Sequence, residues 1–153
     1  MMDLTIRQAT PSDAEAISAL FLRARAAGAA AGTIPPLVHD EEDARNWVAT
    51  VVLAHRECWV AERAGLVVGM LVLEADWIDQ LYLDPDLTGQ GIGSELIAVA
   101  KRERPGGLRL WAFVTNKGAQ RFYIRHGFVE VERTDGTRNE ERSPDILYAW
   151  MPN

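Results

Sequence analysis

The segment that constrains this chain most is Leu81-Tyr82-Leu83-Asp84-Pro85-Asp86-Leu87-Thr88-Gly89-Gln90-Gly91-Ile92-Gly93-Ser94. An extended run from Trp77 to Leu83 stops at Asp84-Pro85-Asp86, and three glycines at alternate positions then open into helical spacing. A strand that turns through glycines into a helix belongs to an α/β architecture. Glycine lets backbone N–H groups approach a ligand closely, and at a helix N-terminus those groups are unpaired and sit at the positive end of the dipole. The segment is therefore a candidate cradle for a phosphate or pyrophosphate. A Walker loop would end in Gly-Lys-Ser/Thr, and no lysine follows here. A dinucleotide fingerprint would read G-x-G-x-x-G after a first parallel strand, whereas this run reads G-x-G-x-G after a meander. Taken alone, the loop reads equally as an anion site or a tight structural turn.

The rest of the chain supplies a frame for it. Leu4 to Ala9 alternates as a half-buried strand does. Thr10-Pro11-Ser12-Asp13 has the chemistry of a helix start, with Ala16, Leu20 and Arg23 on one stripe and Ile17 and Phe21 beside it, and the helix is expected to fade between Ala24 and Gly32. A second helix is expected from about Asp40 to His55, with Ala44, Trp47, Val48 and Val51 on its apolar face and an acidic run at its N-terminus. Strands follow at Cys58–Glu62, Leu66–Leu73 and Trp77–Leu83, the first two joined by Ala64-Gly65. A helix from about Gly91 to Arg104, a strand at Leu108–Val114, a helix from Asn116 to His126 stopped by Gly127, and strands at Phe128–Arg133 and Ile146–Trp150 complete the order β-α-α-β-β-β-α-β-α-β-β. The pattern predicts a mixed, mostly antiparallel sheet of about seven strands flanked by about four helices, within a single domain over 1–153.

Composition narrows the function. Of 153 residues 48% are hydrophobic and 25% charged, the balance of a soluble globular protein. No apolar run reaches the roughly 18 residues of a membrane span, and the start, Met1-Met2-Asp3-Leu4-Thr5-Ile6-Arg7, carries no secretory pattern. The net charge of −6 opposes nucleic-acid binding and suits a cationic or amine-bearing partner. Cys58 is the sole cysteine, which excludes an internal disulfide and a multi-thiolate zinc site; a reducing cytoplasm and no metal are expected.

A second motif resolves the ambiguity of the first. Asn116, Ala119, Phe122-Tyr123 and Gly127-Phe128 spell N-x-x-A-x-x-F-Y-x-x-x-G-F after a strand. With the glycine segment, in this order and separation, the chain resembles the GNAT superfamily of N-acetyltransferases along nearly its whole length. The resemblance implies acetyl-CoA as co-substrate, lying where two central strands splay apart. It implies that the backbone of Leu81, Tyr82 and Leu83 pairs with the pantetheine arm. It also implies that Gly89, Gln90, Gly91, Ile92, Gly93 and Ser94 hold the pyrophosphate, that Asn116 contacts the pantetheine region, and that Tyr123 protonates the departing thiolate. A primary amine, on a small molecule or a peptide, attacks the thioester directly. The residue types agree with this chemistry: a phenol near pKa 10 can donate to a thiolate without being ionised first.

The chain departs from the family pattern twice. Thr88 stands where many members carry Arg or Gln before the glycine run, and Trp111 stands where some carry a catalytic Glu. The amine, protonated at neutral pH, then needs another base, and Glu74, Asp76, Asp79, His39 and water are the candidates. Without a base, the same fold would serve as a non-catalytic acyl-CoA-binding or sensing module; a different nucleotide binder is the third reading.

Other residues have plainer readings. Asn116 doubles as a helix cap, His126 and His55 as helix-end residues, and Cys58 as a small buried side chain. Lys101, Arg102 and Arg104 suit the negative end of their helix. The segment Thr134–Pro144 is long for a hairpin connection, and Glu140 and Glu141 in it are candidates for recognising a cationic amine. Exposed edge strands at the ends of an open sheet invite a homodimer.

Overall fold

Seven strands join into one open sheet, in the order β1-β2-β3-β4-β5-β7-β6, in this computed structural model. It describes residues 3–153; Met1 and Met2, where the reading of the N-terminus begins, lie outside the described residues. The strands are β1 (Leu4–Gln8), β2 (Glu57–Arg63), β3 (Leu66–Glu74), β4 (Trp77–Leu83), β5 (Leu108–Phe113), β6 (Val129–Thr134) and β7 (Asp145–Trp150). The first four form an antiparallel meander, turned between β2 and β3 by Ala64 and Gly65, both in the left-handed region at φ 53° and 77°. The sheet is mixed and mostly antiparallel, as the element pattern predicts.

Four helical rods cover it. The first is α1 (Ala14–Ala31), and the second runs through α2 (Glu41–Trp47), a π-helical turn (Val48–Val52) and α3 (Leu53–His55). The others are α4 (Ile92–Glu103) and α5 (Lys117–Arg125). Asp40 caps the second rod, its Oδ1 accepting from the Asp43 N–H at 2.8 Å. One expectation needs correction. The first helix does not fade after Ala24 but continues to Ala31 and ends at Gly32, φ 74°. Alanine is the strongest helix former, and a single internal glycine costs only about 1 kcal/mol, too little to stop it.

The sheet has a core on each face. Ile17, Leu20 and Phe21 of α1 and Val48 and Val52 of the second rod pack on Val60, Met70 and Val72. On the other face Ile92, Leu96 and Ile97 of α4 and Tyr123 of α5 pack with Leu71, Leu73, Leu110, Ile146 and Tyr148. Among the described residues no helix is long and apolar enough to cross a membrane.

The feature that creates a site lies at the centre. β4 and β5 are parallel neighbours, yet their register holds a single pair, Trp77 with Arg109. One further bond, from the Arg109 N–H to the Asp76 carbonyl at 2.9 Å, closes the apex. Beyond it the strands part. Leu81 to Leu83 pair with Leu71 to Gly69 of β3 on one side, and their other backbone edge faces the opening.

Candidate active site

On one side of β4 the opening is a cavity of about 770 Å³. Its walls include Leu81, Tyr82 and Leu83 of β4, then Thr88, Gly89, Gly91, Ile92, Gly93 and Ser94 of the glycine turn, and Asn116, Phe122, Tyr123 and Arg125 of the next unit. The first intrahelical bond of α4 is Glu95 N–H to the Gly91 carbonyl, so the amides of Ile92, Gly93 and Ser94 are left without a helical partner. Gly89 and Gly91 adopt φ 79° and 84°, and a Cβ at either would meet nothing within 4 Å. These glycines are required by backbone conformation, and the concavity they form is open. Gly93 serves differently: a Cβ there would come within 3.0 Å of the Phe122 ring, so this glycine lets α4 approach α5. The free amides, the open turn and the long groove beside an unpaired strand edge fit a pyrophosphate with an extended arm.

All the candidates that the resemblance implies for acetyl-CoA and the thiolate, but one, line this cavity. Gln90 does not; its side chain accepts a hydrogen bond from Arg63 Nη1 at 2.7 Å instead. Asn116 both faces the cavity and caps α5, its Oδ1 accepting from the Ala119 N–H at 3.2 Å. Tyr123 is 9% exposed and packs edge-on against Phe122 and Phe128. Burial raises its phenol well above the ordinary range and keeps it protonated.

Sequence reading missed one wall. Ala24, Ala27, Gly28 and Ala31 of α1 face this cavity at spacings of three and four residues. The stripe of small residues was visible, but it reads as compositional bias until the helix is known to continue through it. Arg125 was missed as well; it is the one charged residue in the wall.

Two further cavities open on the other side of β4. One, of about 720 Å³, is lined by Asp79, Tyr82, Trp111, Glu132 and Glu141, among others; its neighbour, of about 430 Å³, by Phe21, His39, Trp47, Asp79 and Glu140. Arg25, Asp79, Gln80 and Glu141 belong to both. Tyr82 spans the partition, lining this side and the first cavity.

The four candidate bases part ways here. Glu74 is ion-paired with Arg56 at the end of β3. Asp76 is held by two bonds from Arg109, 2.9 and 2.8 Å, which lower its pKa. His39 is exposed and bound to Glu140 at 3.0 Å, which raises its pKa. Asp79 alone sits at the waist between the cavities. Val72 pairs with Gln80 and Leu73 with Ile78, so Asp79 is the unopposed residue of a β-bulge. The bulge turns its side chain out of the strict alternation and into the opening. Burial raises its pKa, and Arg56 at 3.9 Å only partly opposes this.

The loop carrying Glu140 and Glu141 crosses to the helical side. Glu140 meets His39, and Glu141 lies 3.6 Å from Arg25, a guanidinium that is 6% exposed and also donates to Tyr82 Oη and the Pro35 carbonyl at 3.2 Å each. Both glutamates line these cavities, and each has a basic neighbour, His39 or Arg25.

The model of the acetyltransferase (GNAT) domain family matches residues 54–130, about half of the chain and the span that holds both motifs. This chain belongs to the GNAT acetyltransferase family. It is 40% identical over 83 residues to the aminoalkylphosphonate N-acetyltransferase of Salmonella typhimurium, covering 45% of this chain and 54% of that one. The chain spans about half the length of the first curated relatives it matches. Its fold matches that of apo YjaB from Escherichia coli, with a TM-score of 0.77 at 24% identity, over 99% of this chain and 100% of that one. It also matches PaiA N-acetyltransferase from Thermoplasma acidophilum, solved in complex with coenzyme A, with a TM-score of 0.71 at 22% identity, over 98% and 99% of the two chains.

Proposed function

We propose that this GNAT domain, a single unit over 1–153, is a cytoplasmic N-acetyltransferase that moves an acetyl group from acetyl-CoA to a primary amine by direct attack. The observation that carries this reading is the partition by β4. A long cavity with a free-amide cradle and Tyr123 lies on one side, cavities with a half-buried carboxylate, Asp79, lie on the other, and Tyr82 faces both.

Acetyl-CoA, when bound, supplies the acetyl group as an activated thioester. The amides of Ile92, Gly93 and Ser94 receive the pyrophosphate, and the open edge of Leu81 to Leu83 receives the pantetheine amides. Asp79 takes the proton that an acceptor ammonium must lose before its nitrogen has a free lone pair, directly or through a water. Its raised pKa makes it a better match for that proton than an exposed carboxylate. Tyr123 stays neutral across the working pH range and donates to the sulfur as negative charge develops there. In this reading Asp79 takes the place of the carboxylate missing at Trp111.

The test is calorimetric titration with acetyl-CoA, with CoA, ATP and NAD as controls, followed by thiol release with a panel of amines. Acetyl-CoA binding and amine-dependent thiol release are expected. A folded sample that binds no CoA compound overturns the reading. Binding without turnover on any amine leaves a sensing module.

A further inference from the structure

The donor cavity is poor in charge for the ligand it is proposed to hold. Its wall contains no carboxylate and one cation, Arg125 at the end of α5. The position before the glycine run is the neutral Thr88. A pyrophosphate diester carries two negative charges, and three backbone amides and one arginine leave room for a second cationic contact.

The neighbour of Arg125 stands behind one polar group of this wall. His126 caps the C-terminus of α5, and its Nε2 lies 3.0 Å from the hydroxyl of Ser94, the third residue of α4. Ser94 faces the cavity while His126 does not, so the imidazole stands behind the hydroxyl. The direction of this bond matters. If Nε2 is bare, it accepts the Ser94 proton and turns the oxygen lone pairs to the cavity, against an anion. If Nε2 carries a proton, it donates to Oγ and frees the hydroxyl proton to point at the cavity.

We propose that His126 is a positioning residue for the acyl-CoA donor: its Nε2–H bonds to Ser94 Oγ and aims the hydroxyl at the pyrophosphate, and the imidazole gains protonation when the donor binds. The inference rests on the donor-site reading above.

The groups around His126 fit this role. The Lys101 ammonium, from α4, donates to the His126 carbonyl at 2.5 Å, and Arg125 adjoins His126 on its own helix. Phe122 packs on the ring at a centroid distance of 4.6 Å, and the Ser94 hydroxyl completes the contacts. Burial, then Lys101 and Arg125, hold the imidazole below its ordinary pKa. An anion beyond Ser94 acts in the opposite sense. The free site disfavours imidazolium, and the occupied site favours it.

The test uses dephospho-CoA, because the 3′-phosphate of CoA titrates near pH 6 and would mask a histidine. Calorimetry across pH 5.5 to 8, in buffers of differing ionisation enthalpy, reads affinity and proton uptake together. For the wild type, affinity should rise toward acid pH with a fraction of a proton taken up near pH 6. His126→Gln, whose amide N–H can still donate to Ser94, should keep affinity within about threefold of wild type at pH 8 and lose the pH dependence and proton uptake. His126→Ala should bind about fivefold more weakly at pH 8, the worth of one hydrogen bond. Ser94→Ala should remove the proton uptake while His126 is intact. Equal proton uptake in wild type and His126→Gln overturns the proposal and leaves the donor site standing. Absence of dephospho-CoA binding in every protein overturns both.

Discussion

Arg7 reaches Asp13 with both terminal nitrogens, Nη1 to Oδ2 and Nη2 to Oδ1, each at 2.8 Å. The pair ties β1 to the start of α1, and Asp13 also accepts from the Thr10 N–H at 2.8 Å. Arg7, and to a lesser extent the Thr10 bond, bring the Asp13 pKa down to about 2. A carboxylate with a depressed folded pKa adds stability above its unfolded value, near 4, and loses it as pH falls toward the folded one. The shift corresponds to roughly 2–3 kcal/mol at most, and partial exposure of Arg7 brings it to about 1–2 kcal/mol. Asp13→Ala should therefore lower unfolding stability by that amount at pH 7, measured by urea titration. The difference from wild type should shrink between pH 4 and pH 2. A difference that stays constant to pH 2 would show that the loss comes from packing.

Tyr123 separates an enzyme from a sensor. Its ring is buried among Phe122, Phe128 and Tyr148, so Tyr123→Phe keeps the packing and removes only the hydroxyl. Turnover should fall about a hundredfold, the lower range for a lost proton donor, with acetyl-CoA affinity within twofold of wild type. Stopped-flow thiol release and calorimetry on the same samples check the two halves. Unchanged turnover would remove Tyr123 from the chemistry.

The fold and the backbone shape of the glycine-turn cavity were legible in the sequence because both are local. The strand, glycine turn and helix of Leu81–Ser94 and the Asn116–Phe128 unit each specify a backbone shape within one stretch of chain. What the sequence hides depends on register. Asp79, Glu74 and Asp76 look alike in a row of acids, and a bulge opposite Val72 and Leu73 decides which one enters the cleft. The Ser94–His126 contact spans 32 residues and forms only because α4 and α5 lie side by side, brought close by Gly93. Gln90 looks like a loop ligand in the linear motif, and Arg63 across the sheet claims it.

The small-residue face of α1 gives a prediction independent of the motifs. Ala27 is half-buried and lines the donor cavity with Ala24, Gly28 and Ala31. Ala27→Leu keeps a strong helix former, so stability should change by no more than about 0.5 kcal/mol. The added side chain projects into the groove, and acetyl-CoA affinity should fall at least tenfold by calorimetry, with the melting temperature nearly unchanged. Undiminished binding would move the donor away from this wall.

Asp79 carries the sharpest conflict between stability and function. Burial raises its pKa, so the ionised form required of a base is disfavoured in the folded protein. The sign follows: a carboxylate with a raised folded pKa costs stability once pH exceeds that pKa, and costs nothing when protonated in both states. Asp79→Asn should therefore be at least as stable as wild type at pH 7, and the gap should close as pH falls into the carboxylate range. Its catalytic effect should be the reverse. Wild-type kcat/KM for the amine should decline on the acid side as Asp79 protonates, at a pH above that of an ordinary aspartate. Asp79→Asn should lower kcat about a hundredfold, leave acetyl-CoA affinity intact and lose that acidic limb. Glu74→Gln and Asp76→Asn, whose partners are Arg56 and Arg109, should keep it. A wild-type acidic limb retained in Asp79→Asn would assign the base to another group, and His39, already hydrogen-bonded to Glu140 at the mouth of the same cavity, would be the next to replace.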